Sequence, residues 1–273
     1  MKQPAHRRER TQTFRKAGLF AAFSLFQLCP LFHLFLSPVV SVVGAFRGVL
    51  VASLLTYGLL GVGSLVLGRA FCGWFCPGAA VQECATRLGA HRLAGSRRYW
   101  SKYAVFAVWA AAVAVGAIRA GGFHHVDLLF GTTGGGAARA FLFRYGALLV
   151  VIPPSLLFGR WASCHYLCWI APLMVFGRRV GQRAGLPQLR MEACTGNCRR
   201  CALCTRACPM SLNVQAMVLA GAMSSDECVL CGSCVAACPS EAVRFAFGRT
   251  RAAPMPARNP YGIDGWAGHV GTE

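Results

Sequence analysis

Eight cysteines in the last third of the chain repeat one spacing. The first run is Cys198-x-x-Cys201-x-x-Cys204-x-x-x-Cys208-Pro209, and the second is Cys228-x-x-Cys231-x-x-Cys234-x-x-x-Cys238-Pro239. A close triplet of thiolates wraps one face of an iron–sulfur cube. The remote cysteine, followed by proline, reaches the neighbouring cube, as in bacterial two-cluster ferredoxins. The spacing therefore predicts one 4Fe-4S cluster on Cys198, Cys201, Cys204 and Cys238, and a second on Cys228, Cys231, Cys234 and Cys208. Zinc also takes four cysteines, but two complete runs of this form favour iron. Gly232 lies inside the second run, where backbone amides must turn toward sulfide and a side chain would obstruct them. Cys194 is surplus to a complete triplet and is read as a non-ligand. Thiols that hold iron stay reduced, so fifteen cysteines do not here imply a secreted disulfide scaffold.

Four further cysteines form matched pairs. One stretch reads Gly68-Arg69-Ala70-Phe71-Cys72-Gly73-Trp74-Phe75-Cys76-Pro77, the other Gly159-Arg160-Trp161-Ala162-Ser163-Cys164-His165-Tyr166-Leu167-Cys168-Trp169. Each is Gly-Arg, an aromatic step, then C-x-x-x-C. Cysteines at i and i+4 share a helix face, so two such faces are expected to bring Cys72, Cys76, Cys164 and Cys168 together. Four thiols suit a third iron–sulfur centre, a redox dithiol pair or a copper site, since thiolates are soft ligands for both metals. The bland reading, small apolar residues packing in helices, fits Cys29 and Cys84 better than it fits two matched pairs.

The elements that carry these groups are apolar. Of 273 residues, 55% are hydrophobic and only 14% charged, against about 25% charged in soluble domains. A membrane-spanning helix needs about 20 apolar residues. Ala17–Phe46 and Gly48–Gly68 contain no charge within them apart from their flanks, Lys102–Arg119 brackets a third run, and Ala140–Gly159 is a fourth with Arg144 inside it. The expected fold is mostly α: a four-transmembrane-helix bundle of two repeated hairpins, then a small α+β two-cluster ferredoxin-like domain. The expected divisions are a basic N-terminus at 1–16, the helical membrane part at 17–183, the ferredoxin-type part at 190–248 and a flexible tail at 249–273.

The 28 Lys and Arg outnumber 9 Asp and Glu, for a formal charge of +19. They fall in clusters between apolar runs, as a membrane topology signal does, and not as a stripe for nucleic acid. The clusters at Lys2–Lys16, Arg69–Lys102 and Arg160–Arg190 put both ends and the middle loop on the cytoplasmic side of an inner membrane. The first helix is read as retained, because no small-residue cleavage site follows it. No phosphate-binding glycine loop and no nucleophile–base set is present, so the chain reads as a component of an oxidoreductase system and not as a stand-alone enzyme.

Across Ala17–Phe247 this layout resembles the NapH/MauN family of membrane-bound ferredoxin-type proteins and, more distantly, NosR and CcoG. The resemblance rests on the four apolar runs, the two C-x-x-x-C motifs and the double ferredoxin signature. It implies electron transfer with a quinone pool or a redox partner protein, and a redox role for Cys72, Cys76, Cys164 and Cys168. The family motif is usually C-x-x-x-C-P. Cys76-Pro77 keeps the proline, whereas Trp169 follows Cys168 and Pro172 comes later. Two functions are therefore weighed: relay of electrons between the ferredoxin clusters and a membrane redox partner, or a maturation factor that reduces a metal such as copper. His33, His124, His125, Asp127 and His165 are the candidates for a quinone site, though a lone histidine near an interface is more often a packed or solvated residue.

Overall fold

The computed structural model describes residues 5–87, 91–93, 100–130, 146 and 149–249. The first apolar run is not one helix. It is divided into α1 (Ala5–Leu28), α2 (Pro30–Leu36) and α3 (Pro38–Phe46). Proline opens α2 and α3, where its missing N–H is no loss, but it cannot continue the ladder of the helix before it. Ser37 caps α3 by accepting the Val40 N–H at 3.2 Å. The first of the four expected spans is thus divided at Pro30 and Pro38.

A short strand, β1 (Val49–Val51), leads into α4 (Ala52–Leu67); α5 (Ala70–Trp74), α6 (Pro77–Arg87) and α7 (Ser101–Arg119) follow. β2 (His125–Asp127) pairs in parallel with β1, Val49 opposite His125. Among the described residues α7 alone is long and apolar enough to cross a membrane, and α4 is apolar but shorter. At 1.5 Å per residue α7 spans about 28 Å, close to a hydrocarbon core. The predicted four-helix bundle is thus represented by one clear candidate span. Most of residues 140–148 of the fourth expected span lie outside the described residues, and 149–157 are helical. Large apolar side chains face outward on several of these helices, among them Leu59 at 72% exposed, Val108 at 72% and Leu149 at 72%.

The stretch 149–183 repeats the helix order of 52–87. α8 (Ala162–Tyr166) and α9 (Ile170–Arg183) stand to the stretch 149–157 as α5 and α6 stand to α4. Cys72 is the third residue of α5 and Cys164 the third residue of α8. In both copies the helix ends before the second cysteine, so Cys76 and Cys168 sit in the break that precedes the next helix. The pairs therefore do not share one continuous helix face. Pro77 explains the first break, because the residue before proline avoids the helical conformation.

Helix α9 lies against α4 through small residues. A Cβ on Gly177 would stand 1.9 Å from Ser64 Oγ and 2.6 Å from Gly61 O, and one on Gly181 would stand 2.3 Å from Leu65 O. This small-x-x-x-small stripe lets two backbones approach closely. Gly177→Val is expected to force the helices apart at a cost of about 1–3 kcal/mol. A lowered thermal midpoint in detergent checks it, and an unchanged midpoint would contradict the packing.

The ferredoxin-type region is closed by its own ends. β3 (Gln188–Ala193) and β4 (Val243–Gly248) pair antiparallel, from Gln188 opposite Gly248 to Ala193 opposite Val243. Between them lie α10 (Leu203–Arg206), α11 (Val214–Leu219) and α12 (Ser233–Ala237). Asn213 caps α11 by accepting the Ala216 N–H at 3.1 Å. The pairing of first and last strands holds the two cysteine runs side by side.

Candidate iron–sulfur sites and their junction

The two cysteine runs share one backbone. Positive φ angles recur thirty residues apart: Arg200 at 55° and Leu230 at 53°, Ala202 at 58° and Gly232 at 72°, Ser211 at 56° and Glu241 at 57°. A side chain at positive φ is uncommon outside glycine. Its repetition at matched positions marks two loops bent to the same shape. At Gly232 a Cβ would also meet the Phe245 ring at 2.7 Å.

Sequence grouped the thiols across the runs, and in the structure Cys208 and Cys238 each lie near thiols of the other run. Cys208 and Cys234 each lie within electrostatic reach of Cys228 and Cys231, and Cys204 within reach of Cys198 and Cys238. Cys208, Cys228, Cys231 and Cys234 line one cavity, about 410 Å³ including its open side, walled by Met210, Leu212, Val214 and Met223. A cavity with four convergent thiols and otherwise apolar walls fits a cluster. Burial pushes the Cys208 thiol up to about 12, so its proton must be displaced when metal binds. Cys201 is exposed, whereas Cys231 and Cys234 are buried. The Cys194 main chain is tied to Ala242 at 2.9 Å. Among the described residues, no three His, Cys, Asp or Glu side chains are drawn around a single metal ion.

The other four cysteines also converge. Cys72, Cys76, Cys164 and Cys168 lie within electrostatic reach of one another. Gln82, on α6 and 1% exposed, links the two copies of the repeat. Its Nε2 donates to Cys164 Sγ at 3.0 Å, and its Oε1 accepts from the Cys164 N–H and from Ser155 Oγ. Met174 Sδ lies 3.4 Å from Cys72 Sγ. Trp169, beside Cys168, donates from Nε1 to Tyr57 Oη at 3.2 Å.

The two thiol regions touch. The end of α5, just after Cys72, lies on the loop between Cys228 and Cys231. Trp74 Nε1 donates to Leu230 O at 3.0 Å, and a Cβ on Gly73 would stand 2.4 Å from Val229 O and 3.2 Å from Cys231 N. Only glycine admits so close a backbone approach. Gln12 of α1 donates to Cys231 O at 3.2 Å, and Arg15 donates to Gly73 O and pairs with Glu83 at 3.0 Å.

A buried charge cluster closes the junction. Glu227 Oε2 stands 3.7 Å from Arg69 Nη1 and 3.4 Å from His165 Nδ1, and Glu227 also pairs with Lys102. Arg69, Lys102 and His165 are at most 1% exposed. Burial alone would raise the Glu227 carboxyl. The His165 hydrogen bond and the charges of Arg69 and Lys102 outweigh it and hold the group well below the usual range. Asp226 pairs with Arg178 and Arg179, and its carbonyl accepts from Arg69 at 2.6 Å.

Sequence reasoning read Arg69 as part of the Gly-Arg repeat and, with Lys102, as a topology charge; it did not foresee their meeting Glu227, and it missed Glu227 and Gln82. One signal was available. The chain has only nine acidic residues, and two of them, Asp226 and Glu227, stand together just before Cys228. His33 packs on Phe26 with ring centroids 3.9 Å apart, and His124 binds its own helix end at Ala120 O. Of the histidines considered for a quinone, only His165 joins the thiol junction.

These features define the chain as a ferredoxin-type iron–sulfur protein. The 4Fe-4S binding domain family matches residues 45–94, and the 4Fe-4S dicluster domain family matches residues 197–243. Within that class the chain is NapH-like: it is 28% identical over 203 residues to ferredoxin-type protein NapH of Haemophilus influenzae, a match covering 66% of this chain. The chain spans 63% of that relative's length. No solved structure matches it.

Proposed function

We propose that this protein relays electrons between two 4Fe-4S clusters and a third redox centre at the membrane boundary, and from there to a quinone or a membrane redox partner. One cluster takes Cys198, Cys201, Cys204 and Cys238, the other Cys228, Cys231, Cys234 and Cys208. Bound clusters supply one-electron redox chemistry. The chain's own residues hold the sites in sequence. The observation that carries the reading is the contact of Gly73 and Trp74 with Val229–Cys231. It leaves no intervening layer between the second ferredoxin site and the C-x-x-x-C loop. The match of a 4Fe-4S binding domain family across 45–94, which includes Cys72 and Cys76, favours an iron–sulfur centre on Cys72, Cys76, Cys164 and Cys168.

The outward apolar faces of α4, α7 and 149–157 support a multi-pass protein of the inner membrane. The basic segments fall on its cytoplasmic side. Gln12 of α1 touches the ferredoxin loop at Cys231, which supports placing the N-terminus and the cluster region on one side.

Iron and acid-labile sulfide per chain, measured on anaerobically purified protein, test the proposal. About twelve irons are expected for three 4Fe-4S centres, and about eight would remove the third. Cys201→Ser is expected to lose about four irons, as one cluster's worth, and Cys194→Ser none; equal losses would overturn the ligand assignment.

One observation favours a second reading. Met174 Sδ beside Cys72 Sγ adds a thioether to the thiols, a donor set that suits Cu(I). A maturation factor that reduces copper for another enzyme would bind copper stoichiometrically at these cysteines. Failure of the purified protein to take up Cu(I) would dismiss it.

A further inference from the structure

The two ferredoxin loops have matching backbones but opposite surfaces. In the second, the residues between the first two cysteines are Val229 and Leu230, 1% and 6% exposed beneath Gly73 and Trp74. At the equivalent places in the first stand Arg199 and Arg200, both exposed, beside exposed Cys201. Arg206, at the end of α10, is exposed as well, and Arg160 Nη1 donates to its carbonyl at 3.3 Å. Among the described residues, none of Arg199, Arg200 and Arg206 forms an ion pair with a carboxylate. The backbone tolerates either pair of side chains, so the fold does not require arginine here. Leu203, 42% exposed, adds an apolar contact inside the basic rim.

We propose that the Arg199–Arg200–Arg206 rim is the docking port for an acidic one-electron carrier protein, and that the thiol set of Cys201 is the outer end of the relay. This rests on the relay reading above. Burial of the Val229–Leu230 loop leaves the other set as the one a soluble partner can approach. Guanidinium groups around an exposed ligand steer a negatively charged partner toward it. A basic patch meant for anionic lipid has no reason to surround a cluster ligand. One electron passes between the carrier's redox centre and the site at Cys201. What one loses the other gains, and no bond forms or breaks.

The test uses the full chain, with clusters loaded, in neutral-lipid nanodiscs. The probe is an acidic plant-type 2Fe–2S ferredoxin, and a basic cytochrome c serves as control. Binding is read by fluorescence anisotropy of labelled ferredoxin, and electron exchange by stopped-flow absorbance. Wild type is expected to bind ferredoxin, with both affinity and rate falling as salt rises. R199E/R200E/R206E is expected to lose on the order of tenfold or more in rate at low salt and to gain affinity for the cytochrome. R199Q/R200Q/R206Q is expected to fall between, with iron and sulfide counts unchanged in both. No binding by wild type, or equal binding by all three proteins, would overturn the port. A charge effect confined to discs containing anionic lipid would assign the rim to the membrane and also overturn it. Serine at Cys72, Cys76, Cys164 and Cys168 should leave ferredoxin binding intact, so failure of the port and failure of the relay are distinguishable.

Discussion

Replacing Cys72, Cys76, Cys164 and Cys168 together by serine is expected to stop electron transfer from the ferredoxin clusters into quinone while leaving those clusters in place. The four thiols lie within reach of one another, and their loop is the part of the hairpin that touches Val229–Cys231. Serine is nearly the same size and keeps the polar contact to Gln82, so the repeat should still fold. It is a poor ligand for soft metal, so the centre is lost. Iron should fall by about one third, the share of one 4Fe-4S centre in three. EPR after stepwise reduction should keep the ferredoxin signals and lose any signal from the junction. A variant that retained every signal and full quinone reactivity would show that the membrane thiols are not on the path.

The second large effect is expected at Glu227. It is the carboxylate that faces Arg69, Lys102 and His165 at the junction. Removing one partner from a buried ionic set strands the others, at a cost of about 3–5 kcal/mol. Glu227→Ala should therefore loosen the ferredoxin region from the hairpin ends, seen as a lower thermal midpoint and faster proteolysis after Ala184. Glu227→Gln keeps the shape and removes the charge. Cations then stand uncompensated beside Cys228, and an added electron is favoured there. The reduction potential of that cluster should rise, and that of the Cys201 cluster should move much less. Equal shifts in both potentials, or none, would place Glu227 outside the junction electrostatics.

The expected cluster groupings come from spacing alone. Three cysteines at C-x-x-C-x-x-C spacing can wrap one face of a cube, and the fourth, before proline, reaches the neighbouring one, so Cys208 and Cys238 are expected to cross between the runs. The C-x-x-x-C repeat was legible too, since local sequence sets local structure and the two copies share Gly-Arg and the cysteine spacing. The breaks in the helices were less so. Pro30 and Pro38 stop helices in plain view, but the end of α8 before Cys168 has no proline beside it.

The positions of the charges were not legible. Glu227 lies 158 residues from Arg69 in sequence, and nothing in either segment names the other. Burial decides such pairs, because charges excluded from water must find partners wherever the chain brings them. The same holds for Gly73, an unremarkable residue until Val229 O is seen beneath it. The sequence by itself determined the two matched cysteine runs and the cluster sharing expected from them, because covalent spacing limits the reach of each thiol. Only the tertiary structure decided which ferredoxin loop packs against the C-x-x-x-C segment and which stays exposed. Two loops of equal backbone differ there through contacts made by segments far apart in the chain.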